Sequence, residues 1–122
     1  MAHTIDWNQK GVIRTFTDNL YADEILKSNF DLLENPQFKN SHYIINDFTH
    51  LIECDIRPEH TKIFASTDDI ISHSTGRFKI AIVANNENHI LLANNYKDEM
   101  KNTVFTCEIF QSIDEALIWA ET

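Results

Sequence analysis

Phe78-Lys79-Ile80-Ala81-Ile82-Val83-Ala84 decides the fold. Lys79 is its one polar residue, and the run is strand-sized rather than helix-sized. A short strand that is apolar on both faces belongs at the centre of a sheet, covered by helices on both sides. Toward the C-terminus, Asn88 to Met100 returns to helical spacing, with Ile90, Ala93 and Met100 inward and Lys97, Asp98 and Glu99 outward. Val104 to Phe110 alternates as a strand does. Ser112-Ile113-Asp114-Glu115 then has the form of a capping box, opening a last helix through Ala116, Leu117 and Ala120.

Toward the N-terminus, Pro58 suits the first turn of a helix. Ile63, Phe64, Ile70 and Ile71 give it an apolar stripe through about Ser74, with Gly76 as the stop. Tyr43 to Asp47 reads as a buried strand around Ile44 and Ile45, and Phe48 to Arg57 as a loop with some extended structure. Ala22, Ile25, Leu26, Phe30 and Leu33 form one helical stripe, which Asn35-Pro36 ends. His3 to Trp7 and Val12 to Phe16 read as a hairpin across Asn8 to Gly11, with Thr17, Asp18 and Asn19 as turn residues. The order is β-β-α-β-α-β-α-β-α. It predicts one α/β domain over residues 1–122, a mostly parallel five-stranded sheet whose first strand is the antiparallel exception.

Composition excludes several functions. Glycine and proline supply two residues each, Gly11, Gly76, Pro36 and Pro58. A Rossmann fingerprint or a Walker A loop needs clustered glycines, so neither exists here. The net charge is −9, and the basic residues are scattered singly, against nucleic acid as partner. No apolar run approaches the roughly 20 residues of a membrane helix. Cys54 and Cys107 lack CxxC spacing, and Met1 runs into polar His3 and Thr4 with no signal peptide. Both thiols are therefore expected to be reduced, in a cytoplasmic protein.

The strand-to-helix order resembles the SpoIIAA-like superfamily, which joins the STAS domains of anti-sigma factor antagonists to CRAL-TRIO lipid-transfer domains. Ile44-Ile45-Asn46-Asp47-Phe48-Thr49, Arg77-Phe78-Lys79-Ile80-Ala81-Ile82-Val83-Ala84, Val104-Phe105 and Phe110 through Trp119 look like a bacterial branch of small stand-alone members, mostly uncharacterised. True antagonists carry a phosphorylatable serine in an Asp-Ser-x-Gly turn just after the strand that is here read as ending at Asp47. The corresponding Leu51-Ile52-Glu53-Cys54-Asp55-Ile56-Arg57 has no serine, threonine or glycine. The partner-switching mechanism, which works through the added phosphate charge, is not carried over.

Six histidines (His3, His42, His50, His60, His73, His89) show no metal-ligand spacing and read as surface residues, so no metal or other cofactor is expected. Ser72-His73-Ser74 and Cys54-Asp55 are sequence neighbours that cannot form a triad. Asp68-Asp69, Asp98-Glu99 and Asp114-Glu115 read as solvated helix faces, the last with its capping role. Trp7, Trp119, Tyr21, Tyr43 and Tyr96 read as core. In open α/β sheets ligands settle outside the carboxyl ends of strands, which gathers Asp47, Thr49, His50, Asn85 and Asn86 as a candidate ligand or partner surface. The plainer reading is that Asp47 and Thr49 satisfy local backbone groups. The expected function is a non-enzymatic binding or regulatory module acting by protein–protein contact. A homodimer through a sheet edge or helix face is compatible with this sequence. A carrier of a small apolar or lipid-like ligand is the alternative, and an enzyme the third.

Overall fold

The computed structural model describes residues 3–75, 78–103 and 105–122, the side chains of 69–75 and 102 excepted. Five strands, β1 (His3–Trp7), β2 (Gly11–Tyr21), β3 (Tyr43–Asp55), β4 (Phe78–Val83) and β5 (Phe105–Phe110), form one sheet in the order β1-β2-β3-β4-β5. β1 runs antiparallel to β2 and every other pair is parallel. The helices are α1 (Ala22–Glu34), α2 (Pro58–Thr75), α3 (Glu87–Glu99) and α4 (Ile113–Ala120), with 3₁₀ turns at Pro36–Asn40 and Met100–Asn102. None of the described helices is long and apolar enough to cross a membrane. Gly76, read as the stop of α2, and Val104, read as the head of β5, lie outside the described residues, as do the side chains of Asp69, Ile70, Ile71, Ser72, His73 and Ser74.

The consecutive strand order determines which face each helix covers. Three right-handed crossovers stepping in the same direction must put α1, α2 and α3 on the same side. There Ile25, Leu32, Phe64, Ala93, Tyr96 and Met100 pack on Val12, Phe16, Ile44, Ile80, Ile82, Phe105 and Cys107. Among the described residues the other face meets α4 alone, where Ala116 and Ala120 cover Tyr43, Ile45, Ala81 and Val83. Ser112 caps α4, its Oγ accepting from the Glu115 amide at 3.3 Å. Lys79, the polar interruption in β4, sends its Nζ to the Trp119 carbonyl at 2.9 Å and lies 5.1 Å from that indole ring. A cation at a helix C-terminus is favourable, which accounts for the lysine.

Four expectations are corrected. The residues read as a turn (Thr17 to Asn19) are strand, and so is the stretch read as a loop (Phe48 to Arg57) as far as Asp55. β2 runs to Tyr21, and β3 runs to Asp55 rather than ending at Asp47. β1 pairs only as far as Phe16 and β4 only as far as Asp47, so the ends of β2 and β3 continue as a two-stranded arm. The register shifts between Thr15 and Thr17 and between Asp18 and Asn19, and Asp18 has φ 59°. Bulges break the alternation on which a strand is recognised. In α1 the buried residues are Ile25, Ser28, Asn29 and Leu32, whereas Phe30 is 57% and Leu33 38% exposed. In α3 the buried positions are His89, Ala93 and Tyr96, with Ile90 only half-buried. Both helices turn polar groups inward, and the reason lies beneath them.

Candidate functional site

β2 alternates Val12, Arg14 and Phe16 toward the three-helix face, so Arg14 stands in phase with core residues and is 3% exposed. Its guanidinium organises its surroundings. Nε donates to Asn46 Oδ1 on β3 at 2.8 Å, and Nη1 donates to Ser28 Oγ at 3.0 Å and Asn29 Oδ1 at 2.7 Å on α1. A buried cation needs such acceptors, and supplying them is what rotates Ser28 and Asn29 inward at the expense of Phe30. Burial pulls the Arg14 pKa down to about 10, partly opposed by Asp68 and Tyr96, so it stays charged at neutral pH.

Above Arg14 and Asn46 lies a cavity of about 60 Å³. Its apolar walls include Ile25, Phe48, Phe64, Ile82, Leu92 and Ala93, and its polar lining includes Asn29, Asp68, His89 and Tyr96. Asp68 does not face solvent as a helix surface would. Its Oδ2 accepts a hydrogen bond from the Tyr96 hydroxyl. Burial pushes the Asp68 carboxyl up to about 6, against the lowering effect of Tyr96 and Arg14. Burial first, then the Asp68 charge, holds Tyr96 well above its ordinary value, and burial lowers His89. Cys54 also lines the cavity, with its thiol pKa raised by burial.

Asp47, Thr49 and His50 come together elsewhere. Alternation puts Asp47 on the α4 side of β3, where its Oδ1 accepts from the Thr49 amide at 2.9 Å and the Thr49 hydroxyl at 2.7 Å. His50 Nε2 lies 3.7 Å from Asp47 Oδ2. Asp47 and His50 bracket the first register shift, so the carboxylate bonds the amide that the bulge frees from the ladder. Asn85 and Asn86 are both exposed. Asn86 caps α3, its Oδ1 accepting from the Asn88 amide at 2.9 Å. Among the described residues no hydrogen bond joins either asparagine to Asp47.

The other singled-out residues are structural. Tyr43 is fully buried under α4, its hydroxyl accepting from Asn8 Nδ2 at 2.7 Å and donating to Glu121 Oε2 at 3.0 Å. His60 Nδ1 accepts from the Arg57 amide at 2.9 Å, and His3 Nδ1 lies 3.3 Å from Glu24. Among the described residues no group of three His, Cys, Asp or Glu side chains converges as a metal site would.

A crystal structure of an uncharacterized protein of the DUF3478 family, from Shewanella loihica PV-4 and described as having a SpoIIAA-like fold, superposes with a TM-score of 0.56. The alignment covers 98% of this chain and 92% of that one at 13% sequence identity. The fold is SpoIIAA-like. No protein-family model matches the sequence, and no curated protein matches it. The SpoIIAA-like frame carries the cavity beneath α1, α2 and α3, not at a crevice in the sheet edge. Its strand order never reverses, so it lacks the topological switch point that opens such a crevice.

The cavity residues that sequence reasoning missed did leave a signal. Arg14, Asn46 and the pair Ser28–Asn29 each occupy the core phase of their element, between Val12 and Phe16, Ile44 and Phe48, and Ile25 and Leu32. Polar residues in core phase on three successive elements mark a buried network.

Proposed function

We propose that this chain is a non-catalytic binding module whose ligand is a small molecule held in the cavity under α1, α2 and α3. The observation that carries this reading is the cavity's composition: apolar walls with a few convergent polar groups, the pattern of small-molecule sites. The non-catalytic part is supported by thiol chemistry. Burial pushes Cys107 up to about 12 and raises Cys54, so neither is a thiolate nucleophile near neutral pH. The reading also fits a STAS-like frame without a phosphorylation turn. With β3 prolonged to Asp55, the connection into α2 is Ile56-Arg57, again lacking a hydroxyl.

A protein-contact role is the second reading, supported by Phe30 and Leu33, which lie three residues apart on one exposed side of α1. The occupant of that face would be a partner protein or a second copy of the chain.

Amide chemical shifts read against a set of neutral and charged molecules of about four to eight heavy atoms test the first reading. Binding is expected to shift Asn46, Phe48 and Ala93. A set that moves none of these amides overturns it. Sedimentation of the same sample reports whether the chain self-associates.

A further inference from the structure

Arg14 is a buried cation that no carboxylate of the described residues contacts; Asp68 attracts it only across the cavity. The three hydrogen bonds of Arg14 all go to neutral oxygens, those of Asn46, Ser28 and Asn29. Among the described residues no carboxylate comes within 4.0 Å of it, and its Nη2 donates to no acceptor. The chain carries nine excess negative charges, yet among the described residues none of its carboxylates contacts this guanidinium. Asp68, the carboxylate that shares the cavity, is bonded by Tyr96 instead. A cation removed from water is costly unless an anion meets it, and guanidinium is the side chain best shaped to receive a carboxylate.

We infer that the cavity takes a short-chain carboxylate, its oxygens on Arg14 and its alkyl chain against Ile25, Phe48, Phe64 and Ile82. This rests on the proposed ligand-binding role and specifies the ligand's class. With Asp68 protonated, one guanidinium in a largely apolar site balances one negative charge, which favours a carboxylate over a phosphate dianion. Size agrees. A water site needs about 10–15 Å³ of such volume, so a cavity of about 60 Å³ holds roughly four to six heavy atoms, the size of propionate or butyrate.

Binding is coupled to a proton. Asp68 faces Arg14 from β2, Cys54 from β3, His89 and Tyr96 from α3, and Cys107 from β5. Both thiols and the phenol are held protonated and His89 is pushed toward its neutral form. Asp68 is therefore the group that titrates near pH 6. An anion on Arg14 cancels the attraction that keeps Asp68 ionised, so the bound state favours protonated Asp68. Affinity falls as pH rises from 6 to 8, by at most about tenfold per unit.

Calorimetric titrations with butyrate, butyramide and butylammonium at pH 6 and pH 8 test this, with amide shifts locating each probe. Butyrate is ionised at both values. It is expected to bind the wild-type chain at least about tenfold more tightly than butyramide at pH 6, and to weaken several-fold at pH 8. The Asp68→Asn chain is expected to lose that pH dependence. Equal affinity for butyramide, or tighter binding of butylammonium, overturns the carboxylate assignment and leaves the ligand-binding reading standing. Butyrate affinity that does not change with pH overturns the coupling to Asp68. If none of the three shifts a cavity amide, the assignment is overturned, and failure of the wider set as well removes the ligand-binding reading. The comparison is made on the probe because removing Arg14 would orphan the oxygens of Ser28, Asn29 and Asn46.

Discussion

On the α4 side of the sheet, Tyr43, Ile45, Ala81 and Val83 meet two alanines in a dry contact. On the other side, three helices, with Asp68 on α2, close over Arg14 and Asn46 and leave a cavity. The same strands build both layers. The difference shows where this chain departs from simple burial: one layer maximises contact, while the other buries a cation and arranges its neighbours to satisfy it. Binding chemistry is expected where packing has been given up, not where it is complete.

The comparison is tested most severely by one substitution on each face. Ile45→Ala, in the dry layer, is expected to cost about 4 kcal/mol, because a close-packed site keeps the cavity that truncation leaves. Ile82→Ala, beside the existing cavity, is expected to cost about 2 kcal/mol, since it widens space already present. Denaturant unfolding of both variants measures this, and equal costs would break the contrast between faces.

Gly11→Ala tests how tightly the dry side is packed. A Cβ there would lie 2.5 Å from Cδ1 and 2.6 Å from Cε1 of Tyr43, a fully buried ring whose hydroxyl is held by Asn8 and Glu121. The expected loss is about 1–3 kcal/mol. A neutral outcome would mean that the Tyr43 ring can shift after all.

The last test belongs to the cavity. Burial raises Asp68 from 3.8 to about 6, so the folded state holds that proton more tightly than the unfolded state does. The resulting stabilisation is complete below about pH 3.8 and is lost as pH rises through about 6. Between pH 4 and pH 7 the wild type is expected to lose about 2 kcal/mol relative to Asp68→Asn. Parallel pH profiles of the two chains would show Asp68 to be solvated on folding.

Much of the fold was legible because it rests on periodicity. Phe78 to Val83 read as a central strand from a run apolar but for Lys79, and the cap at Ser112 read from hydroxyl and carboxylate spacing. The arm was not legible, because two bulges put Thr17 to Asn19 and Phe48 to Asp55 out of phase with the rest of their strands. The site was missed for a related reason. A hydropathy stripe through Ile25, Phe30 and Leu33 treats Ser28 and Asn29 as outward-facing, whereas their burial depends on a guanidinium one strand away in sequence. Pairing between distant polar residues has no local period.

The consecutive strand order also bears on how the chain is made. Each new parallel strand adds beside the one synthesised before it, so no later segment must thread between strands already paired. As the chain emerges from a ribosome, the three-helix layer can assemble unit by unit, with Arg14 and its acceptors present from the first crossover onward. The opposite face has to wait. Until Ile113–Ala120 emerges, Tyr43, Ile45, Ala81 and Val83 stand uncovered. The period of greatest exposure to self-association therefore falls just before α4 arrives, and α4 serves the nascent chain as a closing seal.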